Sequence, residues 1–322
     1  MWLNRVDGFR VLNSFGKDEE EFLFIISFEK DKIFASPLNC LPKNILFQLD
    51  SWRNFTPFKS SKKATLKKYP INFKEYERAI NRVKSRIKMG DTYLLNLTFP
   101  TKIETNLTLR EIFYYSKAPF KLLVDAEFVS FSPEMFIEIE ANQISTYPMK
   151  GTIDAKVENA KDKILNSQKE MAEHTMIVDL MRNDLNMVGS NTKVDEFRFV
   201  QKIKAGDKEL LQVSSKVSAT LDSNWRESLG DILDLITPAG SISGTPKKKT
   251  VEIIKEIESY KRGFYTGVFG VCKRDRLKSA VMIRFIEQTK DGFVYKSGGG
   301  VTIDSDNFSE YQEMIDKVYI PF

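Results

Sequence analysis

Between residues 73 and 89 the apolar side chains Tyr76, Ile80, Val83 and Ile87 recur at spacings of three and four. That is the period of a helix with one buried face, and Gly90-Asp91 ends it. Elsewhere the pattern shortens to strand-like runs. Residues 21–28 and 32–35 read as a hairpin of apolar strands, 92–98 as a strand, and 127–140 as a strand pair turning at Ser132-Pro133-Glu134. A strand at 144–147 leads into a tight turn, Pro148-Met149-Lys150-Gly151-Thr152. One long helix is expected over 159–183, with Ile164, Met171, Met176, Val178 and Leu180 on its apolar side. Then come a strand at 208–221, a helix at 228–236, a Gly/Ser/Pro loop at 237–246 and a helix at 247–259. Strands follow at 263–273, 279–287 and 293–297, the last interrupted by the glycines 298–300 before 301–303, and a helix at 307–318 closes the chain. Strands and helices are interspersed without regular alternation, which predicts an α+β fold. The polar, basic, proline-bearing stretch 51–68 marks the expected boundary between a short N-terminal region, 1–72, and a main domain, 73–322.

Composition narrows the classes. With 42% apolar and 29% charged residues the chain reads as a soluble globular protein. Its apolar runs, such as 22–28, are too short to span a bilayer, and residues 1–13 lack the pattern of a signal peptide. Two cysteines, Cys40 and Cys272, make neither a disulfide framework nor a metal cage, so a reducing cytoplasm is expected. The single histidine, His174, excludes multi-histidine zinc sites and argues against a histidine-based triad. The net charge of +5 is spread along the chain, and the basic clusters at 59–68, 247–249 and 273–278 lack regular aromatic interleaving. A small anionic substrate is therefore expected rather than nucleic acid.

Several groups could carry chemistry, each with a plainer alternative. Glu170 and Glu173 share one helix face at i,i+3, and Glu310 and Glu313 repeat that spacing, with Lys317 one turn beyond. Two such pairs facing each other would suit a hard cation such as Mg²⁺; they would equally suit solvated helix faces. Lys150 is either a surface charge at a turn or an amine brought close to a ligand by Gly151 and Thr152. The loop 240–247 offers backbone amides to an anion or is an ordinary cap. The glycines 298–300 allow close backbone approach or form a bulge. Arg284, inside the expected apolar strand, needs a substrate carboxylate or a buried Glu. Tyr265 is a core residue or a ligand contact. His174 is structural or near the site.

Taken in order, the runs GDTYLLNLT (90–98), SFSPEMF (130–136), PMKGT (148–152), EHTMIVDLMRNDL (173–185), PAGSISGTPK (238–247), RGFYTGVFG (262–270), AVMIRF (280–285), SGGGVTIDSD (297–306) and EYQEMIDK (310–317) resemble the chorismate-utilising enzymes. The resemblance covers about residues 73–322. It implies two large antiparallel sheets packed as a sandwich and wrapped by helices, with residues 1–72 adding strands. It also implies Mg²⁺ on Glu173 and Glu313, with Glu170 and Glu310 acting through water. Tyr265, Arg284, Gly299 and Gly300 would hold the enolpyruvyl carboxylate, Lys317 would contact a substrate carboxylate, and Thr152 would line the pocket.

Lys150 separates the branches. Pro-Met-Lys-Gly-Thr is similar to the Pro-Ile-Lys-Gly-Thr of aminodeoxychorismate synthases, whereas anthranilate synthases carry Ala at the lysine position. No lysine stands near Leu94, where the water-using members place theirs. The resemblance thus implies that Lys150 adds to chorismate, that Glu134 protonates the departing hydroxyl, and that ammonia displaces the lysine. Such a lysine must react as the neutral amine. Neither cysteine has the context of a glutaminase nucleophile, so ammonia is expected from a separate glutamine amidotransferase subunit. Leu94, His174 and Asn186-Met187 depart from the pattern of this branch. Anthranilate synthesis is the alternative reaction, and a non-catalytic chorismate-binding subunit the alternative class.

Overall fold

The computed structural model describes residues 1–57, 63–205 and 208–321. Residues 58–62, inside the expected boundary stretch and its basic cluster, lie outside the described residues. Two antiparallel sheets dominate. The first runs in the order Met149–Asp154, Lys208–Thr220, Gln143–Thr146, Met135–Glu140, Arg276–Val281, Val268–Lys273, Phe22–Ile26 and Ile33–Pro37, with Ser190–Ala205 also paired on Lys208–Thr220. The second runs Gly244–Thr245, Leu94–Thr105, Gly292–Val301, Phe285–Thr289, Phe128–Ser132, Phe120–Val124, Ile45–Leu49 and Trp52–Arg53, with Leu66–Tyr69 also on Leu94–Thr105. This is the α+β architecture of two large sheets that the motifs implied.

The central strands explain the sandwich. All five residues of Phe22–Ile26 are buried. Their alternation sends Phe22, Phe24 and Ile26 into a cluster with Phe9, Leu12 and Leu233, and Leu23 and Ile25 toward the second sheet. A strand covered on both faces reads as a continuous apolar run. Between the sheets, Phe269 from the first shares one buried cluster with Phe47, Leu122 and Phe285 from the second. Phe128 stacks on Phe264 and Phe285 with ring centroids 4.8 and 5.1 Å apart. Among the described residues no helix is long and apolar enough to cross a membrane.

Several elements differ from the sequence expectations in ways that shape the site. The strands expected to pair at 127–140 part at Pro133: Phe128–Ser132 lies in the second sheet and Met135–Glu140 in the first. The single strand expected over 279–287 is likewise two, Arg276–Val281 and Phe285–Thr289, one in each sheet. Arg284 is therefore not a strand-interior residue but sits at the crossover, in the left-handed region at φ 52°. The two crossovers are tied together, with the Phe131 N–H donating to Arg284 O at 3.1 Å and Ser130 Oγ to Ile283 O at 3.0 Å. The helix expected at 159–183 is broken into Ala160–Asn166 and Gln168–Asn186. Ser167 turns extended and accepts from the Glu170 N–H, a cap that restarts the helix. Glycines 298–300 do not interrupt their strand, because Gly292–Val301 pairs continuously with Leu94–Thr105. The helices Arg5–Lys17 and Leu109–Tyr115 and the largely exposed edge strand Ser190–Ala205 carried no pattern that was recognised.

Candidate active site

A cavity of about 500 Å³ opens where the two crossovers face the start of helix Gln168–Asn186 and helix Asn307–Asp316. Eleven of the twelve residues to which the resemblance gives a role line it. The twelfth, Gly299, lies beside it: a Cβ there would fall 3.4 Å from both Glu310 Oε2 and Glu313 Oε1.

Lys150 sits in an edge strand, Met149–Asp154, rather than in a free turn. The strand's register on Lys208–Thr220 slips between Met149 and Thr152, and Gly151 takes φ +84°. Glycine adopts that conformation without steric cost, and such a bulge re-aims a side chain. A side chain on Gly151 would also meet Glu170 Oε2 at 3.1 Å. The Lys150 amine lies 3.4 Å from Glu173, and a Cβ on Gly300 would come within 3.3 Å of it. Close approach on the strand Gly292–Val301 is thus what its glycines provide.

The two acidic pairs do converge on one cavity, from two helices. Glu313 pairs with Lys317 at 2.6 Å, and Glu310 accepts from Ser305 Oγ at 2.8 Å. Among the described residues no three acidic, histidine or cysteine side chains are grouped closely enough to hold a metal ion by themselves. The donor chemistry fits a hard cation nonetheless: Glu170, Glu173, Glu310 and Glu313 line the space with no histidine or cysteine among the lining residues, and Mg²⁺ needs only one or two carboxylates when water and a substrate complete its shell.

Glu134 occupies the crossover at Pro133. Burial raises its carboxyl above the ordinary range, against the opposing pull of a Ser241 hydrogen bond and of Lys150 and Arg284. Held neutral, a carboxyl can donate a proton. Ser241 Oγ donates to Glu134 Oε1 from the short turn Gly240–Ile242. Arg284 packs over the Tyr319 ring at 5.3 Å, and its buried Nε has no hydrogen-bond partner. Among the described residues no carboxylate forms an ion pair with it. A guanidinium facing a cavity in that state is suited to a substrate carboxylate. Tyr265 is 4% exposed and lines the same wall, and burial raises its phenol pKa. Burial lowers the pKa of Lys317, whose amine also donates to Gly298 O at 2.9 Å.

Buried polar pairs hold these walls. Arg262 and Glu258 are each 1% exposed in their side chains and lie 2.7 Å apart. Arg262 also donates to Ile242 O and Asn96 O, and Glu258 accepts from Thr98, which links the Ser241 turn to the strand opposite. Lys247 binds Asp184 at 2.6 Å and Ile236 O at 2.8 Å, fastening the same turn's far end to helix Gln168–Asn186. His174 is structural: it is fully buried, its Nε2 lies 2.6 Å from Ser215 Oγ, and burial lowers its pKa to about 4. Sequence reasoning missed Ser241, Asn96, Gln212 and Lys296, which also line the cavity. Ser241 stood inside a motif that was noted, but its partner Glu134 lies 107 residues away.

The comparisons show the family and the fold. The family model described as chorismate binding enzyme matches residues 26–321. An uncharacterised PabA-like protein of Haemophilus influenzae is 46% identical over 96% of this chain and 94% of its own length. Aminodeoxychorismate synthase component 1 of Salmonella typhimurium is 32% identical over 76% of this chain but 56% of its own length. Anthranilate synthase component 1 3 of Haloarcula marismortui is 32% identical over 74% of this chain and 49% of its own. The chain thus spans about half the length of these two synthases. Among solved structures, the menaquinone-specific isochorismate synthase MenF of Escherichia coli shares the fold with a TM-score of 0.73 at 13% identity, covering 98% of this chain and 82% of its own. With a matching family model over nearly its whole length, the chain belongs to the chorismate binding enzyme family.

Proposed function

We propose that the chain acts as an aminodeoxychorismate synthase component, converting chorismate and ammonia to 4-amino-4-deoxychorismate through a covalent bond to Lys150. The observation that carries this reading is the placement of the Lys150 amine on a glycine bulge, in one cavity with the buried carboxyl of Glu134, whose pKa burial raises. The neutral amine of Lys150 forms a bond to ring C2, both conjugated ring double bonds shift, and the C4–O bond breaks. Glu134 gives its proton to the departing hydroxyl, which leaves as water. Ammonia then forms the C4–N bond, both double bonds shift back, and the C2–lysine bond breaks. Splitting one displacement in two gives each half a positioned reactant.

The substrate's carboxylates are assigned to Arg284 with Tyr265, and to Lys317. Glu173 and Glu313 would hold Mg²⁺, with Glu170 and Glu310 as the outer acids. When bound, the ion supplies positive charge for the ring carboxylate. Ammonia would come from a separate glutamine amidotransferase, a reading supported by the relatives named as component 1. Both cysteines are free, which accords with a reducing cytoplasm.

The test is to incubate the purified chain with chorismate, Mg²⁺ and ammonium at mildly alkaline pH and identify the product by mass spectrometry. A product that keeps the enolpyruvyl group and carries nitrogen in place of the hydroxyl supports the reading. Anthranilate with pyruvate would move the chain to the other amination. No turnover, even with an added glutaminase subunit, would leave a binding role.

A further inference from the structure

The edge strand Ser190–Ala205 turns the Arg198 side chain inward. Its register on Lys208–Thr220 slips between the pairs Glu196↔Lys216 and Phe199↔Ser214, so two residues there oppose one. Arg198 occupies this bulge at φ +56°, a left-handed conformation that non-glycine residues rarely take. It is 8% exposed, although residues 193–197 just before it on the strand are exposed. The guanidinium donates from Nη1 to Leu165 O at 2.7 Å and from Nη2 to Ile164 O at 2.9 Å, in the last turn of Ala160–Asn166. Nη1 also lies 3.2 Å from Met171 Sδ, on the next helix. The residue therefore spans the break at Ser167.

Its backbone completes a second set of contacts. The Arg198 N–H donates to Ser215 Oγ at 2.9 Å, and that oxygen is 2.6 Å from His174 Nε2. The Ser215 N–H donates to Pro148 O at 3.0 Å, two residues before Lys150. Met171 and His174 are neighbours of Glu170 and Glu173 on one helix. Ile164, whose carbonyl Arg198 holds, packs 3.4 Å from where a Gly151 side chain would begin. No carboxylate among the described residues pairs with this guanidinium. Its charge is spent on helix carbonyls, where cations are favoured.

We propose that Arg198 is a positioning residue, which sets the helix start bearing Glu170 and Glu173 against the bulge bearing Lys150. It touches neither substrate nor metal; it acts through Ser215, His174 and the helix end. Residues that orient metal-binding groups from behind typically change metal affinity by ten- to a hundredfold when replaced. The metal readout rests on the proposed function, whereas the placement of the helix does not.

The test compares wild type, Arg198→Met and Arg198→Lys by calorimetric titration with Mg²⁺ in the presence of chorismate, by hydrogen–deuterium exchange and by thermal melting. In Arg198→Met, Mg²⁺ affinity is expected to fall about tenfold. Exchange should quicken in 160–176 but not in the strands of the second sheet. In Arg198→Lys, which keeps a cationic donor for the carbonyls but loses the guanidinium fork, affinity should lie between the two. Unchanged affinity with unchanged local exchange would overturn the proposal. So would faster exchange throughout both sheets with wild-type affinity, because that marks a general structural role. If Arg198→Met does not fold, wild-type affinity and exchange in Arg198→Lys would overturn it. Should wild type itself bind no Mg²⁺, the proposed function fails while exchange alone decides this inference. Quickening confined to 160–176 then supports it, and its absence overturns it.

Discussion

Replacing Gly300 by alanine separates the stability of the fold from the placement of Lys150. Gly300 lies in an extended strand without a positive φ, and an added Cβ would meet the Lys150 amine at 3.3 Å and the Leu94 methyls at 3.8 Å. The amine is the far end of a flexible chain, so it moves by a few tenths of an ångström while the backbone stays. Alanine in place of glycine at a compatible position stabilises by about 0.4–1 kcal/mol through the unfolded chain. At roughly 2–4 °C per kcal/mol the melting temperature should stay the same or rise by about 1–3 °C. A misplacement of about 1 Å costs on the order of a hundredfold in rate, so a few tenths should cost roughly three- to tenfold in kcat/KM. The neighbouring Gly298→Ala is the control. There a Cβ would lie 2.1 Å from Leu97 O and 2.6 Å from Thr98 Cα, both backbone atoms of the paired strand. That overpacking should cost about 3 kcal/mol and appear as a lower melting temperature. The assay is thermal melting beside steady-state kinetics with ammonium. Full activity in Gly300→Ala, or a melting loss as large as that of Gly298→Ala, would refute the reasoning.

Three further expectations follow from titrating or paired groups. Glu134, with its pKa raised, should be needed in its protonated form, so kcat/KM should fall as pH climbs through that raised value. Glu134→Gln should abolish turnover yet raise the melting temperature at pH 7, since above the unfolded carboxyl's pKa the buried acid costs stability; a lower melting temperature would contradict the burial assignment. His174 has a depressed folded pKa, so its contribution is whole above about pH 6.5 and is lost as pH falls toward 4, a loss of about 3 kcal/mol. Denaturant titrations of His174→Gln across that window should lack this slope, and an unchanged slope would assign it elsewhere. Lys247→Met should strand Asp184, whose pKa burial already lifts to about 6, and cost about 3–5 kcal/mol by denaturant titration at neutral pH. A loss below 1 kcal/mol would show the pair to be solvated.

How much of this was legible in the sequence depended on the range of the interactions. Helix Phe73–Lys88 followed from its own period, and the hairpin of Phe22–Ile26 and Ile33–Pro37 from its apolar runs. The corner at Pro133 was legible, but not that its two strands lie in different sheets, which depends on remote pairing; the crossover at Arg284 was hidden because the apolar run continues on both sides of it. The break at Ser167 was hidden by an apolar spacing that continues past it, although Ser167 three residues before Glu170 is a capping pattern. The candidate site residues came from ordered motifs, which carry identity but no geometry. Their meeting in one cavity depends on both crossovers and two helices. Ser241 and Arg198 were missed because their partners are remote: Glu134 for the first, and helix-end carbonyls and Ser215 for the second. The strand around Arg198 is mostly exposed and offered no alternation to read.

The central claim is that Lys150 becomes bonded to the substrate. Intact-mass spectrometry of the chain, quenched with acid after mixing with chorismate and Mg²⁺ but without ammonium, measures this most directly. The account expects a species heavier by one chorismate less one water, mapped to the peptide bearing Lys150, absent in Lys150→Ala and discharged when ammonium is added. An unmodified chain that nonetheless aminates chorismate, or a Lys150→Ala variant with wild-type turnover, would contradict it.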